Sequence, residues 1–126
     1  MFKIFRKNIE FYYHYLDSNL RKKDSFLINL FLNEKVIIKI DNKKITSIEK
    51  DYLFKIILSF KHFNDSTYHD KFKEMELYER AYFNSESFEY CILTQNISQL
   101  RICVNMIAYY VFEVKNTKKL EIEFIE

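Results

Sequence analysis

Glycine, proline and tryptophan are all missing from this 126-residue chain. Without glycine there is no loop that lets backbone approach a phosphate closely, which excludes P-loop and dinucleotide-fold enzymes as classes. Positive-φ turns and helix C-terminal caps, which glycine usually supplies, fall to Asn and Asp, the next most tolerant residues. Asn33-Glu34, Asp41-Asn42, Asn64-Asp65, Asn84-Ser85, Asn96 and Asn116 stand between apolar runs and are the expected turns. Cysteine is scarce: only Cys91 and Cys103, with no metal-type spacing, so two reduced thiols serving as small apolar side chains are expected. Long apolar runs are lacking too. Ile102 to Val114 is broken by Asn105 and falls short of the ~20 residues of a membrane span, and the N-terminal MFKIFRK has no apolar signal core. A cytoplasmic location without a membrane partner is expected.

Charge is nearly balanced, at a net +2. That is too little to mark a nucleic-acid protein by itself, but its distribution is uneven. Residues 1–61 hold 13 Lys/Arg against 7 Asp/Glu, and residues 62–126 hold 7 against 11. A basic first half and an acidic second half can orient an encounter with a charged partner.

What the chain has in plenty is Phe (13) and Tyr (10), along with Ile, Asn and Lys. Those residues have A/T-rich codons, so an A/T-rich genome accounts for much of the bias. The length fits one domain, residues 1–126, able to bury roughly two thirds of its unfolded surface. No repeat, linker or low-complexity segment divides it.

Phe2, Phe5, Ile9, Tyr12, Tyr13, Leu16 and Leu20 recur at helical steps and predict a helix from about Phe2 to Leu16, broken around Asp17-Ser18-Asn19. Ser25 to Leu32 could be helix or strand on length alone, but with the alternating Lys35 to Ile40 joined to it at Asn33-Glu34 the two runs predict a hairpin. Ile45 to Ile48 reads as a short strand. Leu53 to Phe63 reads as another, with Phe54, Ile56, Leu58 and Phe60 on one face and Lys55, Ile57, Ser59 and Lys61 on the other.

The densest patterning lies between Ser87 and Val114. Folding it about Asn96 sets Ile92 opposite Leu100, Tyr90 opposite Ile102 and Phe88 opposite Val104, a hairpin with one apolar face. Both cysteines would point to the same face of it. Met106 to Val114 and Leu120 to Phe124 would extend the ladder across a turn at Asn116-Thr117. A second reading stays open: Asn96 with Gln99 resembles a helix N-cap, and Leu100, Val104, Ile107 and Val111 also satisfy helical spacing. Lys71 to Tyr82 is similarly divided, its composition helical and its Glu74 to Leu77 alternation strand-like. A strand is taken in both places, giving an α+β fold, mostly an antiparallel β meander of six to eight strands with an N-terminal helix.

Three histidines, His14, His62 and His69, titrate near neutrality. His62 and His69 with a Lys would make a small metal-independent nuclease, although no spacing is diagnostic. No helical ligand pair and no nucleophile beside a base is found, so no catalytic residue, metal site or cofactor is assigned. Basic and aromatic residues interleave at Lys55 to Phe63 and Tyr68 to Lys73, as in single-strand stacking platforms, which keeps a nucleic-acid-binding accessory role as the alternative. The acidic run Glu74, Glu76 and Glu79, with Tyr78, Tyr82 and Glu89, is the candidate partner-binding patch. Tyr68 and Tyr109 are further outward tyrosines of the kind that carry protein contacts. An edge strand at Leu120 to Phe124 could pair two copies in a homodimer, though Lys119, Glu121 and Glu123 protect it.

The order of elements, a His14-Tyr-Leu-Asp17-Ser18 segment followed by FLINLFLNEKVIIKI, KIILSFKHF, ELYERAYF, FEYCILTQ and QLRICVNMIAYYVFEV, resembles the small β-rich immunity proteins of polymorphic bacterial toxin systems. The likeness lies in hydrophobic pattern, and the His-Asp-Ser element is interrupted here by Tyr15-Leu16. It implies a non-enzymatic inhibitor, an immunity protein or one encoded by a phage or mobile element. Such a protein neutralises a toxin or an effector nuclease complex by sequestration. It implies no particular binding residue.

Overall fold

The computed structural model describes residues 7–18, 25–43 and 52–125. Asn33 and Glu34 both take positive φ, 51° and 69°, the pair of left-handed residues that a tight I′-type hairpin turn requires. They join β1 (Leu27–Leu32) to β2 (Lys35–Asp41) in antiparallel register, with a shift between Leu30 and Phe31. Strand β3 (Phe54–Leu58) pairs with β2, β5 (Glu89–Thr94) with β3, and the short β4 (Tyr82–Asn84) with β5. The last strand, β6 (Glu121–Ile125), returns to the far edge beside β1. The sheet is antiparallel throughout, in the order β4-β5-β3-β2-β1-β6.

Register places Ile28, Ile40, Ile56 and Ile92 in one row across β1, β2, β3 and β5, all fully buried. Leu30, Ile38 and Leu58 stand beside them on that face. It is covered by helix α1 (Ile9–Ser18) and helix α4 (Ile97–Tyr110). From α1 come Ile9, Tyr12, Tyr13 and Leu16; from α4 come Leu100, Val104, Ile107 and Ala108, and Val111 follows. Tyr12 stacks on Phe124 of β6 at 4.9 Å, and Arg101 of α4 meets Glu10 of α1 at 3.0 Å, so the two helices lock to each other and to the sheet edge. Two short helices, α2 (Thr67–Lys73) and α3 (Glu76–Arg80), complete the layer. Among the described residues no helix is long and apolar enough to cross a membrane.

The α+β class, the antiparallel sheet and an N-terminal helix stand as expected. Several segments do not. The hairpin folded about Asn96 is absent because Ile97–Tyr110 is helical, so Leu100, Ile102 and Val104 pair with no strand and Met106 to Val114 does not extend the ladder. The cap opens the helix: Asn96 accepts from Gln99 N at 2.9 Å while Gln99 Oε1 accepts from Gln95 N at 2.8 Å. One helical face then buries Leu100, Cys103, Val104, Ile107 and Ala108, at three- and four-residue steps. Lys71 to Tyr82 is likewise two helical pieces and a short edge strand, since Phe72 and Leu77 reach the core from helical turns. Here the helix-favouring composition prevails over the alternation. Cys91 on β5 and Cys103 on α4 are separate and buried, and neither is in a disulfide. The predicted helix start at Phe2 and the short strand at Ile45 to Ile48 lie outside the described residues, and α1 runs on through Asp17 to Ser18.

Asparagine does mark the turns, but mostly by another device. Asn8, Asn84, Asn96 and Asn116 each accept a following backbone N–H through the side chain, as Asp41 and Asp65 do. Of the four positive-φ residues among those described, Asn33 alone is an Asn; the others are Glu34, Phe88 and Glu113. A chain without glycine thus places ordinary residues in a region that costs them about 1–2 kcal/mol.

Glu34→Gly is expected to raise stability by about 0.5–1 kcal/mol by relieving that cost, read as a later urea midpoint. Asn96→Ala should lower it by about 1 kcal/mol through loss of the α4 cap; an unchanged midpoint would contradict the capping geometry.

Candidate functional site

Two surfaces stand out. The first grows from the end of β3. Phe60 continues the buried alternation, the chain turns at Lys61 and His62, and α2 folds back so that Phe72 is fully buried beside Phe60. The ring of His69, one turn before Phe72, stacks on Phe60 with centroids 5.0 Å apart and planes 9° from parallel. Its Nε2 lies 2.7 Å from the Tyr90 hydroxyl. Tyr90 is the centre of the cluster, touching Phe72, Tyr78 and Phe83. Burial pushes the Tyr90 phenol above its ordinary value, with the neighbouring Tyr78 adding to the effect, so the hydroxyl keeps its proton. Burial also lowers the His69 imidazole, helped by the Lys73 charge and opposed by Asp70. A neutral imidazole and a protonated phenol are hydrogen-bonded there, with the direction set by the imidazole tautomer.

These groups line an open cleft of about 420 Å³ whose outer rim carries Phe83 and Phe88. Both rings are largely exposed, at 48% and 61%. A second concavity of about 520 Å³ adjoins it, lined by Lys35, Lys39, Ser59 and His62, and Lys61 belongs to both. Lys39 is paired with Glu89 at 3.5 Å. Lys35 donates to the His62 carbonyl at 3.2 Å and sits 5.2 Å from the Phe63 ring; Lys61 donates to the Ser87 carbonyl at 3.3 Å.

The second surface is the outer side of α4. Ile102, Met106, Tyr109 and Tyr110 follow one another at i, i+4, i+7 and i+8 and are exposed. Tyr110 donates to Glu74 at 2.8 Å. Burial holds the Cys103 thiol above its ordinary value, with the Arg80 charge opposing it, which disfavours the thiolate.

The residues of the acidic and tyrosine patch are dispersed over three places. Glu74, Glu76 and Glu79 are exposed on the turns of α2 and α3 that flank α4. Tyr78 turns inward onto Phe72 and Tyr90. Tyr82 and Glu89 lie on the opposite face of the sheet, opposite Cys91 and Asn84 in register. Parts of the two basic-aromatic stretches, by contrast, meet at the cleft: Phe60, Lys61 and Phe63 from the first and His69 from the second. His62 and His69, the pair a nuclease would need, line different concavities, and His14 is exposed on α1. No group of His, Cys, Asp and Glu among the described residues is arranged to hold a metal ion. Sequence reading missed Ile102 and Met106 as surface residues because a strand reading of that segment faces Ile102 inward; the helical wheel started from the Asn96 cap would have found them.

Comparison with family models, curated proteins and solved structures finds no match to this chain.

Because the folded His69 sits below the ordinary 6.5, its contribution to stability is complete above that pH and is lost as pH falls through the lower folded value. Unfolding free energy should therefore decline on acidification from pH 7. His69→Gln should flatten that decline, while an unchanged slope would deny the shift.

Proposed function

We propose that this chain is a non-enzymatic inhibitor that neutralises a partner protein by docking on it through the outer side of α4. The single observation that carries this reading is the exposed Ile102, Met106, Tyr109 and Tyr110 ridge. Apolar anchors at i, i+4, i+7 and i+8 are the spacing by which a helix seats in a groove of another protein, and Met and Tyr are favoured at such contacts. Glu74, which accepts from the Tyr110 hydroxyl, gives the ridge an acidic margin at its C-terminal end. The fitting partner is therefore a protein with an apolar groove edged by basic residues, such as a nucleic-acid-acting toxin or effector. Sequestration needs no reacting group, only complementary area. Two buried cysteines outside any disulfide, Cys91 and Cys103, suit a reducing cytoplasm.

The test is purification from the native host with and without the double substitution Ile102→Asp and Tyr109→Ala. Wild type should hold one partner in fixed stoichiometry and suppress its activity. The variant should lose at least a hundredfold in affinity, about 3 kcal/mol or more, and release that activity while its unfolding midpoint stays put. Equal retention of the partner by both proteins, or wild-type self-association through this ridge in its place, would overturn the reading.

A further inference from the structure

We propose that the aromatic cleft beside Lys61 binds a planar aromatic ring carrying a phosphate, a nucleotide met either free or at the end of a single strand. The reading is independent of the docking role of α4.

Phe88 has φ 57°, a left-handed conformation that is a true outlier for a bulky side chain. Its local cost is of the order of 1–3 kcal/mol, and such strain persists where the surroundings impose it. What the conformation achieves is to turn Phe88 out of the alternation of β5, which would otherwise carry it inward with Tyr90 and Ile92. The ring stands instead at the cleft mouth, 6.3 Å from Phe83. Two exposed phenyl rings on one hairpin thus face a wall formed by Phe60, His69 and Tyr90. Every nucleobase has a π face, so such walls accept a base by stacking.

The remaining chemistry is that of an anion attached to a ring. Lys61 lies on the shared border of the two concavities, and its ammonium meets only the Ser87 carbonyl, with no carboxylate partner among the described residues. Lys35 likewise meets a carbonyl and a ring. Asp65 lines the cleft and Glu34 and Glu89 line its neighbour, but none of them pairs with Lys61 or Lys35, so the two ammonium groups retain charge for a phosphate lying between the two concavities. The cleft volume, about 420 Å³, falls within the range of small-molecule sites. The neutral His69 with the Tyr90 hydroxyl offers polar groups for the base or ribose without bringing a charge into the aromatic wall.

The experiment follows backbone amide NMR shifts of the full chain on addition of adenosine 5′-monophosphate, adenosine, inorganic phosphate or an oligodeoxyadenylate. Adenosine 5′-monophosphate should give saturable shifts centred on Lys61, His69 and Phe88, and adenosine should bind about tenfold more weakly. Tighter binding of the oligomer, weakening as salt rises, identifies a strand end as the natural source; tighter binding of the monophosphate identifies the free nucleotide. Phe88→Gly separates binding from packing. It should raise the unfolding midpoint by relieving the backbone while lowering nucleotide affinity about tenfold or more. Lys61→Gln should remove the preference for nucleotide over nucleoside. Absence of saturable shifts with every nucleotide probe, or affinity unchanged by Phe88→Gly, would overturn the assignment.

Discussion

The row of isoleucines at positions 28, 40, 56 and 92 is the constraint from which the rest of the molecule follows. Each is fully buried and each sits directly opposite the next on adjacent strands. Burial of such a side chain is worth about 1.5–3 kcal/mol. A one-residue slip in any pair would turn that strand's apolar set to the other side of the sheet. Register is therefore fixed. With it are fixed the seat of α1 over β6, the seat of α4 over the row, and the point where β3 releases the chain toward Phe60.

Around that fixed centre the aromatic residues divide into two populations. Phe60, Phe72, Tyr90 and Phe112 interlock as a mostly buried cluster joining β3, α2, β5 and the end of α4. Phe83, Phe88, Tyr109 and Tyr110 remain exposed. Large apolar residues left exposed in contiguous groups mark places where a partner or ligand takes the position of water. One such group edges a cleft and the other forms a helical ridge. Helix α2 links them, giving His69 to the first and Glu74 to the second.

The absence of glycine shapes the surface as well. Side-chain acceptors on Asn and Asp handle most chain reversals at little conformational cost. Where left-handed backbone was unavoidable, Glu34, Glu113 and Phe88 were used. Glu34 and Glu113 stay at the surface, where Glu113 pairs with Lys71. Phe88 stands apart from them because its conformation exposes a ring.

The sequence by itself determined the α+β class, the Asn33-Glu34 hairpin and the two faces of β3. These are local matters of alternation and turn chemistry, decided within a few neighbouring residues. It also held the Asn96 cap, but the run from Leu100 to Val111 satisfies two periods at once, so only burial against Ile56 and Ile92 chose helix over strand. The closing of β6 onto β1, the gathering of Phe60, His69, Phe83 and Tyr90 into one cleft, and the dispersal of Glu74, Tyr78 and Glu89 were decided by tertiary structure alone. Each joins residues far apart in the chain, and no local preference encodes which distant strand or helix a side chain will meet.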